Sequence, residues 1–135
     1  MIRMRNHVLG WSLAAACTVG ILATAACGSS SSSSSSPSPN AAATITIANN
    51  AVTPKNVAVP RGSQVLFVNN DTRSHNIASD PHPEHTDCPE INQVGVLNAG
   101  QSRQTGNMTT NRAVCGFHDH DNPTVAGLQG TITIQ

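Results

Sequence analysis

The chain is 135 residues long, carries seven Lys or Arg against seven Asp or Glu, and has no Tyr. A balanced, weakly charged chain lacks the basic surface that nucleic-acid binding requires. After a long serine tract is set aside, the length leaves room for one small domain, whose modest core would gain from a metal or a disulfide.

Residues 1–26 begin with Arg3 and Arg5 and continue, from Val8 to Ala26, with residues that are apolar or small almost throughout. A positive start before a hydrophobic run is the pattern of an export signal. The run ends in Thr24-Ala-Ala-Cys27, which resembles the lipobox of bacterial lipoproteins. That resemblance implies cleavage before Cys27, lipidation of Cys27, and loss of Trp11 and Cys17 with the signal. A retained transmembrane helix is one alternative, because the run is about long enough to span a bilayer, and an ordinary secretory cleavage near Ala26 is another. Residues 27–41 contain eight consecutive serines and then Pro37-Ser-Pro39, a flexible tether from which no core can be built. The expected location is therefore the extracytoplasmic face of the cell membrane, on its periplasmic or extracellular side.

The folded part is expected over 42–135. There five Lys or Arg face seven Asp or Glu, a net charge of −2, and all seven acids fall between Asp71 and Asp121 with five histidines. No helical period is present. Thr44-Ile-Thr-Ile47 alternates apolar and polar residues, as a half-buried strand does. Asn56-Val-Ala-Val59 is a second strand, followed by a turn at Pro60-Arg-Gly62. Gln64-Val-Leu-Phe-Val68 is apolar on both faces and suits a central strand. Ser74-His-Asn-Ile-Ala78 is a fourth. A long irregular segment, Ser79 to Asn92, carries His82, His85 and Cys88, and a loop of that length in a small domain is more often functional than idle. Strand character resumes at Val94-Gly-Val-Leu97, at the polar stretch from Gln101 to Met108, at Ala113-Val-Cys115, and finally from Gly130 to Gln135. Seven or eight short strands predict an all-β sandwich of Greek-key type, with the regular first and last strands as a candidate closing pair.

The residues that carry chemistry gather near the end of the chain. Cys115, His118 and His120 offer a sulfur and two imidazoles within six residues, and such donors suit copper. His75, His82, His85 and Cys88 are the candidate partners. In an exported protein two free thiols would be unusual, so Cys88 and Cys115 should bind metal, bond to each other, or be reactive. A zinc site drawing on both cysteines is a further option. No nucleophilic enzyme constellation and no phosphate-binding glycine loop is present.

Several stretches, in order, resemble the cupredoxins, the small blue-copper domains of plastocyanin and azurin type. They are Thr44-Ile-Thr-Ile-Ala-Asn49, Val57-Ala-Val-Pro-Arg-Gly62, Val65-Leu-Phe-Val-Asn-Asn-Asp71, Ser74-His-Asn-Ile77, Leu97-Asn-Ala-Gly-Gln-Ser102, Cys115-x-x-His118 and Gly127-Leu-Gln-Gly-Thr-Ile132. The resemblance implies copper held by His75, Cys115 and His118, with His120 competing for the place of His118 and Asn76 tying the ligand loops together. Leu128 stands where the family's axial methionine is expected, and the stretch from His118 to Leu128 is longer than usual.

Two readings follow. In one, a thiolate copper site makes the protein a monomeric, non-enzymatic one-electron carrier between redox partners at the membrane surface. In the other, Cys88 and Cys115 are bridged, copper sits on a cluster drawn from His75, His82, His85, His118 and His120, and the protein binds copper or passes it between donors and acceptors.

Overall fold

The computed structural model describes residues 41–135; the expected signal, Cys27 and most of the tether lie outside them. Among the described residues, nine strands form two sheets. In chain order they are β1 (Ala41–Ala48), β2 (Ala51–Thr53), β3 (Asn56–Val59), β4 (Gln64–Asn69), β5 (His75–Ser79), β6 (Gly95–Leu97), β7 (Ser102–Gln104), β8 (Val114–Asp119) and β9 (Gln129–Ile134). One sheet has the order β2-β1-β4-β7 and the other β3-β9-β8-β5-β6. The all-β sandwich expected from the alternation is present, with β2 as a short strand that the pattern did not resolve.

Alternation of side chains along each strand lets one face of each sheet be apolar. Ile45 and Ile47 of β1, Val65 and Phe67 of β4, Ile77 of β5, Phe117 of β8 and Ile132 of β9 meet in a single core. Phe67 and Phe117 come from opposite sheets and pack edge to face, with ring centroids 5.1 Å apart. Such a pair contributes roughly 0.5–1.5 kcal/mol beyond its buried area. Phe117 is thus a packing residue.

The first and last strands do not pair, which corrects that expectation. β1 runs parallel to β4, while β9 runs parallel to β3, in the other sheet. Both are regular because each lies between two neighbours inside its own sheet. Regularity marked central position rather than mutual pairing.

Cys88 and Cys115 form a disulfide across a sequence separation of 27 residues, with Cα atoms 5.8 Å apart. Both are fully buried in the core. Closing a loop of that length in the unfolded chain stabilises the fold by about 3 kcal/mol. The bridge also ties the end of the irregular segment after β5 to the start of β8. Backbone bonds hold the same segment elsewhere: Asp80 N–H donates to Gly116 O at 3.0 Å, Asp87 N–H to Asp80 O at 2.9 Å, and His85 N–H to Pro81 O at 2.7 Å.

Candidate metal centre

The location of the histidines follows from how far β8 runs. Sequence patterning ended this strand at Cys115, with a ligand loop after it. The strand instead continues to Asp119, pairing with β5 through Ile77–Asp119, Ala78–His118 and Ser79–Phe117. A two-residue period then sorts the stretch into two sets. Cys115, Phe117 and Asp119 point into the sandwich, while Gly116, His118 and His120 point out of the five-stranded sheet. Cys115 and His118 therefore lie on opposite faces of one strand. They do not converge on a common ion, and the Cys115 sulfur is bonded to Cys88.

His75 lies on the inner side and is fully buried. Its Nδ1 is 2.9 Å from Asp119 Oδ2, and its Nε2 is 3.3 Å from Asp71 Oδ2. Asn122 Nδ2 donates to Asp119 Oδ2 at 3.1 Å, and the backbone N–H groups of Asn76 and Asp121 donate to Asp119 Oδ1, each at 3.1 Å. Burial pushes the Asp119 carboxyl up, but hydrogen bonds from His75, Asn76, Asn122 and Asp121 together hold it below the usual carboxylate value. Asp71 is also held low, chiefly by the N–H of Asn50 and then by His75. Both ring nitrogens of His75 are thus engaged, and it stands apart from the other histidines. The residue facing His75 is Asp119, and Asp119-x-x-Asn122 repeats the spacing that the resemblance assigned to Cys115-x-x-His118. Leu128 is buried in the core, as is Met108, and the Gln129 side chain donates to Pro123 O at 2.6 Å. Asn76 does link the two regions, but through its backbone, since its carbonyl accepts from His120 N–H at 2.6 Å.

On the outer face the picture differs. The segment after β5 folds over β8, and one nitrogen from each of His82, His85, His118 and His120 lies within 4.8 Å of the others. His85 Nε2 is 3.1 Å from His120 Nδ1. The His82 ring packs against those of His118 and His120, with centroids 5.4 and 5.1 Å away. His118 is buried, His85 and His120 are half-buried, and His82 is exposed. Burial lowers the pKa of His85, and the nearby His120, His118 and His82 lower it further. The neutral ring this favours is the form that donates a lone pair to a metal.

His118 supplies the strongest sign of fit. Its Nδ1 is 2.7 Å from Asp80 Oδ1, while its Nε2 is buried without any hydrogen-bond partner. A buried nitrogen with no partner is costly, and a cation among the four rings would relieve it. Four imidazoles suit copper, zinc, iron or nickel. Of the residues expected to ligate, the structure gathers His82, His85, His118 and His120, and leaves out His75 and Cys115. The signal for this was the spacing Gly116-x-His118-x-His120, which places two imidazoles on one face of a strand once the strand is extended.

No family model and no curated protein matches the chain. Solved structures do. A purple cupredoxin from Nitrosopumilus maritimus superposes with a TM-score of 0.52 at 21% identity, covering 69% of this chain and 99% of that one. The oxidised plastocyanin from Dryopteris crassirhizoma gives 0.52 at 19%, covering 68% and 99%. A Cu(I) form of an amicyanin variant gives 0.52 at 14%, covering 73% and 87%. At these identities the likeness is one of architecture, and residues 41–135 have the cupredoxin fold.

Proposed function

We propose that this chain is a membrane-anchored, extracytoplasmic copper-binding cupredoxin that holds copper on His82, His85, His118 and His120. Its role is copper binding or delivery at the membrane surface rather than thiolate-based electron transfer. One observation carries this: the Cys115 sulfur is shared with Cys88 while four imidazoles converge on the opposite face of β8. A thiolate donates into copper and keeps the geometry of both oxidation states similar, so electrons move with little reorganisation. An all-imidazole site has no such bond. Copper(II) tops the affinity series of divalent ions for nitrogen donors, and an exposed His82 leaves one side of the site open for exchange. The partners are then copper donors and acceptors, the chain acts as a monomer, and Cys27 supplies the anchor. The role is carriage of the metal, not catalysis.

Titrating the metal-free full chain with Cu(II) against a competing chelator tests this. One copper per chain is expected, and His118→Ala with His120→Ala together should abolish it. No binding by the unaltered chain, or full binding by the double variant, would sink the proposal.

A further inference from the structure

Asp80 is the first residue of the segment that covers the cluster, and its carboxylate lies against β8 at Gly116. Its backbone is fixed at both polar groups. The N–H donates to Gly116 O at 3.0 Å, and the carbonyl accepts from Asp87 N–H at 2.9 Å and Ser79 Oγ at 3.2 Å. The carboxylate fits there because position 116 has no side chain. A Cβ added at Gly116 would collide with Asp80 Oδ2 and lie 2.8 Å from Asp80 Cγ, closer than real Cβ atoms come. Gly116 is the outward neighbour of His118 on β8, two residues before it. The missing side chain therefore opens the space from which Asp80 Oδ1 reaches His118 Nδ1 at 2.7 Å.

We infer that Asp80, seated in the space left by Gly116, is a positioning residue that holds His118 in the tautomer with Nδ1 protonated and the Nε2 lone pair turned toward the cluster. A carboxylate accepts hydrogen bonds and does not donate them, so it selects Nδ1–H. In the neutral ring the proton can then not also sit on Nε2. The buried, unpartnered Nε2 is the other half of the same arrangement. An outer carboxylate of this kind fixes ring orientation and raises the basicity of the ligating nitrogen. The inference deepens the copper reading and rests on it for the role of the lone pair, but the tautomer itself is a property of the metal-free chain.

Imidazole nitrogen-15 NMR on the metal-free full chain at mildly alkaline pH separates the two. In the unaltered protein His118 should carry its proton on Nδ1. Asp80→Ala should lose that preference, and Gly116→Ala, which displaces the carboxylate without removing it, should behave the same way. Asp80→Asn keeps an acceptor at the same place and should restore the tautomer. Cu(II) affinity should fall by about 10–100-fold in the two alanine variants, with the asparagine variant between them and the parent. The Asp80 side chain is 48% exposed, so Asp80→Ala should fold, and far-ultraviolet circular dichroism checks this. His118 protonated on Nε2 in the parent, or an Nδ1–H preference unchanged in Asp80→Ala, would overturn the inference. If no variant binds copper, the proposed function fails, and the NMR result alone decides the role of Asp80.

Discussion

Two histidine regions lie on opposite sides of β8, and they differ in what the rings can still do. Inside the sandwich, His75 has carboxylates near both nitrogens, Asp119 at 2.9 Å and Asp71 at 3.3 Å. Outside, His118 has a carboxylate on Nδ1 only, and its Nε2 is unspent. The same side chain is a structural tie in one place and, in the proposed function, a ligand in the other. What decides between them is the number of nitrogens left without a partner, not burial, since both residues are almost fully buried. The inner region also lies where the resemblance predicted copper. Its polar groups form a closed hydrogen-bonded set, and the set that stays open has formed across the sheet.

The largest break in this comparison should come from single replacements. His118→Ala should weaken Cu(II) binding by more than the about 10–100-fold expected from loss of an outer partner, while thermal stability stays near that of the parent. His75→Ala should do the reverse. It strips Asp119 of a buried partner and should cost about 2 kcal/mol of stability, with copper affinity unchanged. Denaturant unfolding and copper titration on both variants read the contrast, and a loss of copper with His75→Ala would erase it.

The bridge acts on both stability and copper, but it touches the histidine contrast less directly. Replacing Cys88 and Cys115 together with serine should lower stability by about 3 kcal/mol. It should also weaken copper binding, because His82 and His85 lie on the segment that Cys88 pins to β8. Unchanged affinity would mean that the backbone bonds of Asp80, His85 and Asp87 hold the segment alone.

The smallest effect is the acid response of the inner region. Asp71 and Asp119 both have folded pKa values below the ordinary 3.8. The unfolded chain then binds protons at higher pH than the folded one, so the stabilisation is fully present above the ordinary value. It is lost as pH falls below 3.8 through the depressed folded values. Asp119→Asn should flatten this loss in urea midpoints taken across that range. An equally steep curve in the variant would place the acid sensitivity elsewhere.

Much of this could be read from residues alone, and the limits have a physical cause. Thr44-Ile-Thr-Ile47 and Gln64-Val-Leu-Phe-Val68 announced their strands because alternation and apolar runs are local signals. The pairing of β1 with β4 and of β9 with β3 depends on partners far along the chain, which alternation does not encode. The site turned on one boundary. Ending β8 at Cys115 leaves Cys115 and His118 free to converge, as the resemblance implied. Extending it to Asp119 sends them to opposite faces. The Cys-Gly-Phe-His-Asp-His order carries that alternation, but polar residues after Phe117 look like loop when their covering segment is unknown. Cys88 was legible as a partner for Cys115 because the expected compartment is oxidising. The need for a glycine at 116 was not legible, since its purpose appears only when Asp80 occupies the space beside it.

The most direct measurement of the central claim is the visible and electron paramagnetic resonance spectrum of the Cu(II)-loaded full chain, taken with a free-thiol count. The spectrum should show nitrogen coupling from imidazoles and no intense thiolate-to-copper band, with no free thiol at Cys88 or Cys115. An intense charge-transfer band that disappears in Cys115→Ser would contradict it and return the copper to the inner side of β8.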